Sequence, residues 1–276
     1  MDITVGLFLL FFGMAFVCEF IDSSLGMGYG TILAPVLLIM GIPPLTAVPA
    51  LLLSQAFGGL TASVFHQRFE NVSFKKGSKD LSIVAIISGF GILATIFAAL
   101  LALSVPKVVL KTYIGVLVLA MGFVLLSNWK FEFSWKKMIG VGVLSAFNKG
   151  LSGGGFGPVV TAGQIISGQE QKGAIGATTL AEAPICLVGF ITYAVGKGMA
   201  AATEPLLEMP VSKFLSLMFG PKVFQWELVL ALLLGSVCVA PFGAFATKLM
   251  RTHRLNQILG MVVVALGVWT LIKTYL

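Results

Sequence analysis

Lys149-Gly150-Leu151-Ser152-Gly153-Gly154-Gly155-Phe156-Gly157-Pro158 interrupts an apolar sequence, and a counterpart lies 127 residues before it: Asp22-Ser23-Ser24-Leu25-Gly26-Met27-Gly28-Tyr29-Gly30-Thr31. Glycine at this density unwinds a helix and strips backbone N–H groups of their partners one turn back. Each break is followed by a short apolar stretch, 31–41 and 158–168. Pro158 suits the first turn of a new helix, where its missing N–H is no loss. These stretches are too short to cross a bilayer and read as half-helices or re-entrant segments.

Working outward, the sequence repeats. Residues 20–68 align with 147–195 without a gap, pairing Phe20/Phe147, Gly26/Gly153, Gly28/Gly155, Gly30/Gly157 and Gly41/Gly168. Ala47/Ala174, Ala50/Ala177, Leu53/Leu180, Ala56/Ala183 and Leu60/Leu187 continue the register. Further on, Leu110/Leu255, Gly115/Gly260, Ala120/Ala265 and Gly122/Gly267 pair at an offset of 145. The second half therefore carries extra residues, most simply in the 196–227 loop. Apolar segments of spanning length fall near 3–21, 45–66, 81–103 and 107–127, then near 138–152, 173–195, 228–250 and 255–273. The segment at 138–152 is weak alone and is supported by the repeat.

The expected fold is an all-α polytopic integral membrane protein. It has two homologous helical repeats, 1–127 and 128–276, of four to five helical segments each, in a single transmembrane domain with the glycine-rich breaks near the midplane. Five crossings per repeat would make the repeats inverted, as in many transporters, and four would make them parallel. Lys and Arg in the 67–80 and 128–137 loops mark these as cytoplasmic. The short basic loop at 248–254 (Lys248, Arg251, Arg254) favours the inverted arrangement. The 196–227 loop mixes Lys197, Lys213 and Lys222 with Glu204, Glu208 and Glu227 and leaves sidedness open.

Composition agrees. Charged residues make up 11% of the 276, against about 25% in an ordinary soluble domain, and the mean hydropathy is +1.01. Lipid must face this surface, and the continuous apolar runs point to helices, since barrel strands would alternate. The stretch from Met1 to Phe20 has no basic n-region and no A-x-A-like cleavage site, so it reads as a first span. The net charge of +7 sits mostly in loops, which gives a topological role and no nucleic-acid partner. Cys18, Cys186 and Cys238 lie in apolar segments without a C-x-x-C pair and read as filler. Neither H-E-x-x-H nor G-x-S-x-G is present, and G-x-G-x-G follows no strand. The expected protein is not an enzyme and uses no cofactor and no metal.

Candidate site residues follow from the breaks. A helix N-terminus with free N–H groups is an anion site. Two such ends facing each other would form a pocket for a small anion, built from Ser24, Gly26, Gly28, Gly30, Lys149, Ser152, Gly153, Gly154, Gly155 and Gly157. Glycines that only let helices pack closely would explain one motif. Two copies in register, each beside an ionisable residue, favour a binding site. Asp22 and Lys149 occupy equivalent positions. Either they meet across the symmetry axis, with Asp22 compensating Lys149 when the site is empty, or each sits at a wet helix end. Glu182 aligns with Gln55, placing a titratable group where the other half has its neutral isostere. Glu182 is a proton-coupling candidate or a structural hydrogen-bond partner. Glu19, one turn before the first break, is a second proton site or a packing residue. His66 and Arg68, ending a span, read as interfacial anchors.

At Gly26-Met27-Gly28-Tyr29-Gly30 with Pro35, and at Gly41-Ile42-Pro43-Pro44-Leu45-Thr46-Ala47-Val48, the chain resembles the first repeat of the TauE/SafE sulfite exporter family, also called toluene sulfonate uptake permeases. Leu151 to Pro158, with Gly168 and Lys172-Gly173-Ala174, fits the second repeat. The resemblance implies secondary transport of sulfite, an organosulfonate or a related sulfur-containing anion. It implies a multi-pass protein of the cytoplasmic (inner) membrane, with the anion, protons and the bilayer as partners, and leaves direction and oligomeric state open. With no P-loop for ATP, proton coupling through Glu182, Asp22 or Glu19, with Gln55 at the position equivalent to Glu182, is the expected energy source. A passive anion channel and a non-transporting structural or partner-binding membrane protein are the alternatives.

Overall fold

The computed structural model describes residues 3–127, 135–166, 169–202, 209–221, 223–249 and 252–276. The readings placed on Lys130, Gly168, Glu204, Glu208, Lys222 and Arg251 fall outside them, as do the side chains of Lys136, Lys137 and Arg254. The described residues form α1 (Val5–Leu25), α2 (Tyr29–Ile39), α3 (Pro44–Arg68), α4 (Lys79–Ser104), α5 (Lys107–Leu126), α6 (Trp135–Ser152), α7 (Gly157–Ile166), α8 (Gln171–Ala201), α9 (Val211–Met218), α10 (Trp226–Ala246) and α11 (Thr252–Tyr275). Seven of them, α1, α3, α4, α5, α8, α10 and α11, are long and apolar enough to cross a membrane. The protein is an all-helical polytopic membrane protein. The short helix α9, inside the 196–227 loop, was not anticipated from the sequence.

Local chemistry sets the helix ends. Thr4 caps α1 by accepting the Leu7 N–H, and Ser78 caps α4 by accepting that of Leu81, with Asp80 in its first turn. Pro44 starts α3. Gly26 ends α1 in the left-handed region at φ 74°, and its counterpart Gly153 closes α6 at φ 77°.

The helices pack in a continuous strip, α1 on α10, α10 on α3, α3 on α8, α8 on α4 and α4 on α6, while α5 and α11 form a separate pair. Exchanging α1 with α6, α3 with α8 and α10 with α4 reads the strip backwards without change. The α5–α11 pair maps onto itself in the same operation. Gly115 lies against Leu271 and Gly260 against Leu126; Gly122 lies against Val264 and Gly267 against Leu119. Each contact becomes the other at the offset of 145. Glycine here lets two backbones approach.

The outer surface is apolar, with Leu93, Phe97, Phe123, Phe242, Met261 and Trp269 exposed. In water this surface would aggregate; in a bilayer it is the lipid face. Inside, α3 and α8 are the most enclosed of the spanning helices. The two breaks meet beside them.

Candidate functional site

The two glycine-rich breaks touch backbone to backbone. A Cβ on Gly30 would collide with the Gly153 carbonyl, and a Cβ on Gly157 with that of Gly26. A Cβ on Gly154 would come within 2.8 Å of the Gly30 carbonyl carbon and oxygen, and one on Gly157 within 2.7 Å of Met27 Cα. These four contacts form two pairs, each pair related by the 127-residue offset. Thr161 Oγ1 donates to Gly26 O at 2.8 Å and Gly155 N–H to Thr31 Oγ1 at 3.3 Å, stitching each break to the short helix of the other half.

Four polar side chains run through the bundle next to this crossing. Gln55 Nε2 donates to Asp22 Oδ2 at 3.1 Å, Lys149 Nζ donates to Gln55 Oε1, and Lys149 Nζ pairs with Glu182 Oε1 at 2.7 Å. All four are buried, the Lys149 and Glu182 side chains to 1% and 5% exposure. Neither Asp22 nor Lys149 sits at a wet helix end. They are not direct partners either: the ion pair of Lys149 is with Glu182, and Asp22 is reached through Gln55. The geometry of each half dictates this, because residues 33 positions apart (22 and 55, 149 and 182) are neighbours in both. The only link in the chain between the halves is Gln55 to Lys149. An isolated charge here would be prohibitive, so the pairing is a condition of folding as well as a candidate device.

Asp22 also accepts the Tyr29 N–H at 3.1 Å. The first free donor at the start of α2 is thus held by the protein's own carboxylate, where a helix N-terminus favours an anion. At the second break the corresponding position is Lys149, whose ammonium runs to Glu182 and Gln55. Several of the other predicted donors are also engaged in this conformation, among them the N–H groups of Gly26 and Gly153, which donate to Asp22 O and Lys149 O. Ser24 Oγ donates to Ile21 O, Ser152 Oγ to Asn148 O, and Gly154 N–H to Ser152 Oγ. Gly28, at φ 134°, precedes α2 with its Cα face against Ile21.

Several buried polar residues were not singled out from the sequence. Tyr29 Oη and Ser54 Oγ lie 2.7 Å apart. Thr161, Thr178 and Gln164 form a network: with the Thr161 proton given to Gly26 O, Thr178 Oγ1 donates to Thr161 Oγ1 at 3.0 Å and accepts from Gln164 Nε2 at 2.7 Å. The available signal was a mismatch between the halves: Phe156 and Ala181 stand opposite Tyr29 and Ser54 in the alignment, and Ala34, Leu37 and Leu51 opposite Thr161, Gln164 and Thr178. His66 is fully buried, which corrects its reading as an interfacial anchor. Asn71 Nδ2 donates to both His66 Nδ1 and Ala244 O, so His66 Nε2–H donates to Ser23 O at 2.9 Å. A histidine with both nitrogens bonded inside the protein ties α1, α3 and α10 together.

Glu19 is fully buried, and neither carboxyl oxygen has a hydrogen-bond partner among the described residues. It faces Gly58 of α3 and Ser236 of α10.

Comparison with known proteins agrees with this architecture. The family profile described as sulfite exporter TauE/SafE matches residues 10–270. The chain is 24% identical over 283 residues to a probable membrane transporter protein, YtnM, of Bacillus subtilis (strain 168), covering 97% of this chain and 84% of that one. It is 27% identical over 268 residues to a probable membrane transporter protein of Haemophilus influenzae, covering 96% and 93%. A probable membrane transporter protein, ORF9, of a Sinorhizobium species shares 35% over 119 residues, or 43% of this chain and 42% of that one. No solved structure matches. With a match running from the first span to the last, this chain belongs to the TauE/SafE sulfite exporter family of membrane transporters.

Proposed function

We propose that this membrane transporter is a proton-coupled secondary carrier of a small sulfur-containing anion, sulfite or an organosulfonate, in the cytoplasmic membrane. The observation that carries the reading is the buried Asp22–Gln55–Lys149–Glu182 chain lying against two crossed helix breaks. A cation held this deep, in contact with a carboxylate, is what an anion entering from either side would compete for. Parting the breaks would release the Gly155 N–H from Thr31 and uncover the backbone of Gly154 and the hydroxyl of Ser152 to the anion, with Lys149 turning from Glu182 to the substrate. Proton uptake by a carboxylate of this centre would offset the charge brought in. The self-exchanging pattern of helix contacts supports two repeats, 1–127 and 128–276, rocking about the crossing in alternating access.

The test is labelled sulfite flux into proteoliposomes with and without an imposed pH gradient, comparing the wild type with Lys149→Ala. Gradient-driven accumulation that the substitution abolishes is the expected result. Flux that never exceeds equilibration would point to a channel. No flux would retire sulfite and direct the assay to organosulfonates.

A further inference from the structure

Three helices meet twice in this protein in the same way, and the two meetings differ in one chemical respect. Around Gly58 of α3 stand Glu19 of α1 and Ser236 of α10, at 3.2 Å and 2.9 Å from where a Cβ on Gly58 would lie. The alignment carries Glu19 to Ala146 and Gly58 to Ile185, and the later offset carries Ser236 to Gly91. Those three residues also meet: a Cβ on Gly91 would lie 2.5 Å from Ile185 Cδ1 and 3.1 Å from Ala146 Cβ. One junction is closed by an isoleucine side chain and the other by a carboxyl group. The fold therefore has a wholly apolar solution for this place, and a packing role does not require Glu19.

We propose that Glu19 is the proton-carrying residue of this transporter. The inference rests on the coupled-carrier reading above and names the group that does the coupling. Among the described residues no donor reaches the fully buried Glu19 carboxyl group, and a buried carboxyl group without donors is far more costly ionised than neutral. The charged groups around it are Asp22 on its own helix, Glu182 on α8 and Lys149 on α6. Cys18 of α1 and Tyr29 of α2 also lie close, and α3 and α10 bring Gly58 and Ser236 to it. Two carboxylates already outnumber one ammonium. A bound anion beside an ionised Glu19 would leave the centre strongly negative, whereas a protonated Glu19 removes one of those charges. Anion binding and protonation of Glu19 thus favour each other by reciprocal linkage. The chemistry is one O–H bond: the carboxylate takes H⁺ from water on the side where the anion enters and returns it to water on the other. Asp22, Gln55, Lys149 and Glu182 are all hydrogen-bonded or paired, which leaves Glu19 as the carboxyl group free to exchange its proton without breaking the chain.

The experiment has two readouts. In reconstituted full-length protein, the infrared carbonyl stretch of a protonated carboxylic acid is recorded across a pH titration for the wild type and for Glu19→Gln. Anion exchange and pH-driven accumulation are measured on the same samples. The proposal expects a protonated-acid band that titrates in the wild type and is missing in Glu19→Gln, together with loss of pH-driven accumulation and of the pH dependence of exchange. A band that survives the substitution overturns it, as does undiminished accumulation. If the wild type itself accumulates nothing under a pH gradient, the carrier reading falls, and the band alone decides whether Glu19 is a proton site. The triple variant Glu19→Ala, Gly58→Ile, Ser236→Gly rebuilds the second junction in the first. It is expected to fold and to lose coupling, and a coupled triple variant would overturn the proposal.

Discussion

Where α7 meets α8, Thr161, Gln164 and Thr178 form a buried polar network; at the matching positions of α2 and α3 stand Ala34, Leu37 and Leu51, all buried. Around α1 the contrast is reversed. Glu19, Tyr29 and Ser54 of the first half, with Ser236 of the second packed against Glu19, correspond to Ala146, Phe156 and Ala181 of the second half, with Gly91 of the first. The halves thus share the backbone contacts, glycine on glycine at the breaks and at α5–α11, and divide the polar chemistry. Each polar cluster occupies a place the other half closes with hydrocarbon. A buried polar group is a liability unless satisfied, so its appearance in only one of two equivalent places marks chemistry the fold does not demand.

The strongest way to break this comparison is to strike what the halves share. Gly30→Ala and Gly157→Ala place a methyl group on a backbone carbonyl of the opposite break. Neither backbone can withdraw without moving its own helix start, and overpacking typically costs about 1–3 kcal/mol, more where neither side can yield. Each variant is expected to yield little monodisperse protein. Gly41→Ala serves as the control, since nothing lies within 4 Å of its Cβ position, although its φ of 90° adds local strain. If Gly30→Ala assembles with an unchanged thermal midpoint, the breaks do not touch as described.

What the sequence made legible was this shared part. Seven of the eight apolar runs became spanning helices, the 138–152 run forming α6, which is not among them; the aligned glycines marked the two breaks and the α5–α11 contacts, because these are local patterns repeated at a fixed offset. The partners of Lys149 were less legible. Asp22 was the natural candidate by alignment, and only the packing of α3 against α8 brings Gln55 and Glu182 to the same point. His66 was misread because a polar residue near a helix end normally reaches solvent; here residues 69–71 fold back and bury it under Asn71. The short helix α9 was missed because its eight residues are amphipathic and too few to register as a span.

A second prediction sharpens the comparison at the ionic chain. Glu182→Leu leaves Lys149 buried without its ion-pair partner, and removing one member of a buried pair destabilises by about 3–5 kcal/mol. Adding Lys149→Met to the same chain removes the orphaned charge. The double variant is expected to be more stable than Glu182→Leu alone, by thermal unfolding in detergent, while remaining without transport. A double variant no better than the single would mean that Gln55 and Asp22 satisfy Lys149 by themselves.

The smallest expected effect is the most specific to the division of polar groups between the halves. Tyr29→Phe and Ser54→Ala convert a polar pair of the first half into the Phe156 and Ala181 of the second. Hydrogen bonds between side chains inside membrane proteins contribute on average only about 0.6 kcal/mol. Ser54 keeps a second bond to Leu51 O, so it is not stranded when the tyrosine hydroxyl is removed. Each single variant should therefore shift the midpoint slightly, and the double variant should lose less than the sum of the two. A coupling energy near zero in that cycle would mean that Tyr29 and Ser54 do not bond. A much larger one would mean that the hydroxyl of Tyr29 supports more than its visible partner. Glu19 and Asp22 are the carboxyl groups near enough to be that second dependant, and repeating the cycle in Glu19→Gln separates the two.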